Sequence, residues 1–144
     1  MATLTTSWQF WALLAAVFAA LTAIFAKIGI ENVNSDYATF LRTIVVIFGL
    51  GLILFFTKQF QPLSSLSARS LVFITLSGLA TGASWICYFR ALKLGDASQV
   101  APIDKLSVVL VAIFGVMFLG ENLSATSWAG VALIGTGAVM VALG

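Results

Sequence analysis

The chain has 144 residues, of which 61% are hydrophobic and 8% are charged, with a formal net charge of +2. Soluble domains carry about 25% charged residues, and a fold of this length leaves much of its surface facing the solvent. The composition therefore excludes an ordinary water-soluble domain and indicates that most of the surface meets lipid.

Five apolar runs are each long enough to cross a bilayer, which takes about 20 residues in a helix. Helices satisfy their own backbone hydrogen bonds, as the membrane interior demands. The expected fold class is an all-α integral membrane protein with one five-helix domain over residues 1–144. Its spans are predicted at about Trp8–Gly29, Tyr37–Thr57, Ser70–Leu92, Ser98–Leu119 and Ser124–Gly144.

The first span is rich in alanine, like the core of a secretory signal peptide. It lacks a preceding basic segment and is longer than the usual signal core of about 7–15 residues. We therefore expect it to remain as a permanent helix.

The second and third spans contribute basic residues to the membrane side that the C-terminus faces. Arg42 and Arg90 would lie at similar depth there, with Lys27 and Lys105 nearby. One interpretation is a polar cavity for an anionic or zwitterionic substrate, walled by the rings of Tyr88, Phe89, Trp85 and Tyr37. The alternative is structural: the cations extend to the headgroups or match helix ends, and the rings belong to the interfacial belt.

The charge bias also bears on orientation in the membrane. Counting every base, the positive-inside rule places the C-terminal side in the cytoplasm. If only loop residues are counted, the C-terminal side has one base, Lys93, and the opposite side has two, Lys58 and Arg69. This weak bias permits insertion both ways round.

The fourth span opens with Pro102, Asp104 and Lys105. Either a helix begins at Pro102 and places Asp104 in its first turn, or a helix from about Ser98 is kinked at the proline. Neighbouring residues of a helix do not face each other, so Asp104 and Lys105 are predicted to find different partners. We expect Asp104 to hold Arg42 or Arg90, with a structural role and a role in substrate or ion handling both open.

Small residues mark the faces where membrane helices can meet. The third span has Gly78 and Gly82 four residues apart, and the fifth has Gly130 and Gly137 seven apart. Ordinary packing within the bundle explains them, and a homodimer contact is the alternative. Gly130 and Gly137 are the preferred dimer candidates because a C-terminal helix readily lies at the edge of a bundle.

One long segment carries a family likeness. It runs from Tyr88 to Glu121 and reads YFRALKLGDASQVAPIDKLSVVLVAIFGVMFLGE. Its ordered elements are an aromatic-x-x-Ala-Leu helix end, a Gly-Asp-Ala-Ser turn, Ala-Pro at the next helix and Leu-Gly-Glu closing it. With the helix count, this resembles the EamA-like domain of the drug/metabolite transporter superfamily.

The resemblance implies a function and an assembly. Most members join two five-helix units as inverted repeats in a ten-helix fold and move small metabolites across bacterial inner membranes, often outward. A chain with one unit would then need an antiparallel homodimer with dual topology. Related small multidrug resistance proteins use a glutamate in helix 1, and no acid occupies the first span here, so that role is not transferred.

The leading hypothesis is a secondary transporter, an exporter of small metabolites or drugs. A passive small-ion channel and a non-transporting membrane subunit are the alternatives. We predict no enzyme activity, catalytic residue, metal or cofactor, because the chain has no histidine and a single cysteine. The scattered bases do not indicate nucleic-acid binding.

Overall fold

The computed structural model describes residues 7–144. Within this range the chain forms six α-helices, and α4 and α5 make one interrupted span, so five helical segments are long and apolar enough to cross a membrane. The predicted all-helical, five-span fold is confirmed. The helices are α1 (Trp8–Gly29), α2 (Ser35–Thr57), α3 (Ala68–Leu94), α4 (Ala97–Asp104), α5 (Ser107–Leu119) and α6 (Ala125–Leu143), with a 3₁₀ turn at Leu63–Ser65.

Polar residues just before the apolar runs cap several helices. The Asn34 side chain accepts hydrogen bonds from the backbone N–H groups of Asp36 and Tyr37 at 3.0 and 3.1 Å. Ser124 Oγ accepts from the Ser127 N–H at 3.1 Å. These contacts satisfy amides that have no partner inside the first helical turn. The caps explain why α2 begins at Ser35, ahead of the apolar run.

The described chain divides into two compact units. The first unit holds α1 up to Lys27 together with Leu94–Gly144, and the second holds Ile28–Lys93. In the first unit, α6 packs against both α4 and α5. A Cβ on Gly135 would lie 3.2 Å from Val109 Cγ2, so this glycine permits a close approach between α6 and α5.

The Leu-Gly-Glu turn after α5 depends on Gly120 and brings Glu121 over Gly115. Gly120 adopts a left-handed conformation with φ 69°, which most side chains disfavour. The Glu121 N–H donates to the Gly115 carbonyl at 3.1 Å. Glu121 also folds its carboxylate over Gly115, where a Cβ would come within 2.5 Å of Oε2. The turn therefore ends α5 and places an acid against its last part.

In the second unit, the buried residues gather where α2 begins and α3 ends. They are Ile30, Thr39, Phe89 and Leu92. Lys93 Nζ donates to the backbone carbonyls of Ile30, Glu31 and Val33 at 2.5, 2.7 and 3.2 Å. This lysine therefore fixes the loop that leads into α2.

Little of the apolar surface is covered by the described chain itself. At most 6% of the most apolar window of any span is buried. In a membrane protein the remaining apolar side chains face either lipid or another protein. The open helix faces therefore leave room for a partner chain.

Candidate functional site

The second unit places a cation on an aromatic platform. The Arg42 guanidinium carbon, from α2, lies 4.1 Å from the centroid of the Trp85 ring and 5.5 Å from that of Phe89. Trp85 and Phe89 are four residues apart on α3 and so share one helix face. Arg42 is half-buried, and Tyr88 is half-buried beside the platform residues on α3. The structure thus brings together three predicted site residues: Arg42, Trp85 and Tyr88 all line this part of α2 and α3.

Arg90 has a different environment. Its Nε and Nη2 atoms donate to the two carboxylate oxygens of Asp36 at 2.8 and 2.5 Å, a two-point ion pair. The pair joins the start of α2 to the end of α3, and both side chains remain well exposed. Exposed ion pairs contribute little stability in water, so we interpret this one as fixing the alignment of the two helices and neutralising Arg90.

The fourth predicted span is interrupted. Pro102 lies inside α4, which begins at Ala97, and the break falls after it at Lys105 and Leu106. The structure therefore follows the second alternative, a helix that begins before the proline. The break in this helix lies at Lys105 and Leu106 rather than at Pro102 itself. Backbone N–H groups of residues 105, 106, 108 and 109 donate to carbonyls three residues earlier. The break is thus a tight turn that satisfies its own amides.

One prediction for this break is wrong. Asp104 and Lys105 were expected to seek different partners, yet Lys105 Nζ donates to Asp104 Oδ2 at 3.0 Å. The helical rule fixes the directions of the two Cβ atoms, but at a helix end the long lysine stem can curve back to its neighbour. Arg42 and Arg90, the partners expected for Asp104, lie in the second unit, where Asp36 holds Arg90 and aromatic rings contact Arg42.

The four predicted packing glycines remain open. A Cβ built on Gly78, Gly82, Gly130 or Gly137 would meet nothing within 4 Å. The close contact of α6 within this chain occurs at Gly135 instead. Each of the four positions therefore has space for a larger side chain, although Gly82 and Gly130 are half-buried.

Phe89 was among the predicted wall residues, but sequence reasoning missed Asp36 as the partner of Arg90. Spacing in an antiparallel hairpin could have found this pair, since the residue numbers of Asp36 and Arg90 add up to almost the same value as those of Arg42 and Trp85. Within residues 7–144 no cluster of three or more potential metal ligands occurs.

Five helical segments that are long and apolar enough to cross a bilayer, the fourth of them interrupted, define a multi-pass membrane protein. The sequence profile of the EamA-like transporter family matches residues 6–143. This chain belongs to that family and is a membrane transporter, half of the drug/metabolite transporter fold.

A bacterial relative agrees in length and in name. A protein of Sinorhizobium sp., named an uncharacterized transporter in the cobO 3′ region, is 59% identical over 137 residues. The match covers 95% of this chain and 97% of the relative. No solved structure matches the chain significantly.

Proposed function

We propose that the protein is a secondary transporter that exports small metabolites or drugs across a bacterial inner membrane as an antiparallel homodimer. Each copy supplies one five-helix unit, and the two copies insert with opposite orientation. The substrate passes between copies whose basic ends face opposite sides of the membrane.

The number of spans carries this proposal. An odd number of crossings places the two ends of a unit on opposite sides of the membrane, so two identical units form an inverted pair only if they lie antiparallel. Most transporters of the family that this chain resembles are built from such inverted pairs. The weak charge bias of the loops permits the dual insertion that a single sequence requires.

The length of the relative and the open helix faces support the same assembly. The Sinorhizobium protein is covered over 97% of its own length by this one-unit chain, so it too has the length of one unit. The glycine faces of α3 and α6 have space for a second backbone to approach closely. The bacterial source of the relative and the family resemblance support the inner membrane and outward transport.

Transport by purified protein in liposomes tests the proposal. Amino acids, organic acids and cations should be screened with an imposed proton or sodium gradient in each direction. Saturable flux that requires a gradient supports a secondary carrier. Flux that rises linearly with concentration and ignores the gradient favours the small-ion channel, and no flux for any compound favours a non-transporting subunit.

Leucine at the open glycines should weaken the dimer. For Gly130→Leu and Gly137→Leu we expect the dimer dissociation constant to rise on the order of tenfold, because a side chain holds the two backbones apart. The single chain has space at both positions, and leucine favours a helix more than glycine does. The measurement is the monomer–dimer equilibrium by labelled-subunit exchange in bilayers.

Two controls separate the interface from the fold. Gly135→Leu faces Val109 within the chain, so it should lower the melting temperature instead. Gly49→Leu, at an equally open glycine of α2, should leave the dimer intact. If both α6 variants stay fully dimeric, α6 is not the interface and Gly78 with Gly82 becomes the next surface to vary.

A further inference from the structure

We infer that the Arg42 guanidinium, presented on the rings of Trp85 and Phe89, is the receptor for a substrate carboxylate, and that the substrate is a small organic anion with an apolar body. This inference rests on the proposed transport function and names the substrate class of that site.

The aromatic contacts hold the cation without satisfying its hydrogen-bonding groups. A guanidinium has five N–H donors that lie in its own plane. Rings at 4.1 and 5.5 Å contact it through cation–π attraction and leave those donors unused. Within its own unit, residues 28–93, Arg42 has no hydrogen bond or ion pair, and the ion pair of that unit joins Arg90 and Asp36.

Two neighbouring basic side chains of the same unit, unlike Arg42, have oxygen partners. Arg90 has both oxygens of Asp36, and Lys93 has three backbone carbonyls. Arg42 lies seven residues after the start of α2, about 10 Å along the helix axis at 1.5 Å per residue. A cation at membrane depth without an oxygen partner is costly. A ligand oxygen at this position would remove that cost.

A carboxylate fits the donors best. Its two oxygens match two parallel N–H groups of the guanidinium in a planar, two-point contact. The half-buried ring of Trp85 beside the guanidinium offers the rest of the ligand an apolar surface. A phosphate of a lipid headgroup shares this anionic chemistry, and we assign the site to the transported solute because the rings hold the guanidinium against α3 rather than extended along α2.

The test is equilibrium binding of radiolabelled benzoate to the full-length protein in bilayer discs, with benzamide as the uncharged competitor. The unaltered protein should bind benzoate and prefer it to benzamide. Arg42→Gln should raise the dissociation constant for benzoate about tenfold to one-hundredfold, the loss expected for a hydrogen bond to a charged group, and should bring the benzoate-to-benzamide preference close to one. Arg42→Lys keeps the charge but loses the planar guanidinium, so its dissociation constant for benzoate should lie between those of the unaltered protein and Arg42→Gln.

Arg69→Gln is the matched control. Arg69 also lies over a ring, 5.9 Å from the Phe73 centroid, at the opposite end of the same helix pair. Its removal should leave benzoate binding unchanged. Melting temperature and dimer content are measured for every variant, and Arg42→Lys keeps the test valid if Arg42→Gln fails to fold.

The inference is overturned if the unaltered protein does not bind benzoate, or if Arg42→Gln and Arg42→Lys keep the full preference over benzamide. It is also overturned if Arg42→Gln alters only the binding of phosphatidylglycerol added to the discs, because Arg42 would then bind a lipid headgroup rather than the transported solute. Binding does not require flux. Arg42-dependent binding without transport would therefore contradict the proposed function alone, and transport with unchanged selectivity would contradict this inference alone.

Discussion

Two lysines added to the loop between α2 and α3 should stop transport by that variant on its own. Gln59 and Gln61 are exposed in this loop, between Lys58 and Arg69. Gln59→Lys with Gln61→Lys makes the loop strongly basic, so the positive-inside rule holds it in the cytoplasm in every copy. If the transporter needs two opposite orientations, flux should fall to background although the protein still reaches the membrane.

The matched variant adds the lysines on the other side. Asn32→Lys with Ser98→Lys, at two exposed positions, should lock the opposite orientation and also fail alone. Co-expression of the two locked variants should restore flux. A charge-neutral control, Gln59→Asn with Gln61→Asn, should behave as the unaltered protein. Full activity of either locked variant alone would contradict the antiparallel assembly.

The second large effect is expected at the break between α4 and α5. Asp104→Asn leaves Lys105 without its carboxylate, and Lys105→Ala leaves Asp104 without its cation. A lone charge at membrane depth is costly, so each single variant should lower both stability and transport. If the pair is structural, the two effects are not additive: the double variant Asp104→Asn with Lys105→Met should recover stability, with a coupling of about 0.5–3 kcal/mol.

Transport by the double variant separates the two interpretations of this pair. Recovery of flux along with stability means that the charges only neutralise each other at the helix break. A stable double variant with no flux means that Asp104 or Lys105 handles the substrate or the coupling ion. Single variants with unaltered stability and flux would contradict the ion pair itself.

The fold was predictable because its signals are local. The apolar runs are long enough to cross a membrane, and capping residues such as Asn34 and Ser124 lie just before them. The position of the break was less predictable. Pro102 indicated a disturbance, but removing one amide does not determine where the following turns tighten, and they do so at Lys105 and Leu106.

The side-chain partners were the least predictable part. Asp36 and Arg90 are 54 residues apart, and nothing local to either residue selects the other. Only the register between α2 and α3 brings them together, and it also places Arg42 on the rings of Trp85 and Phe89. The helical neighbour rule misjudged Asp104 and Lys105 because it describes the interior of a helix and this pair lies at a helix end.

Counting labels per dimer tests the antiparallel assembly most directly. Ser64→Cys, in the loop between α2 and α3, is made in a Cys87→Ser background, since Cys87 is exposed. Sealed vesicles are treated with a membrane-impermeant biotin maleimide, and dimers extracted in mild detergent are weighed by native mass spectrometry. Opposite orientations predict one biotin on each dimer. Dimers carrying two biotins or none would show that both copies face the same way and would contradict the proposed antiparallel homodimer.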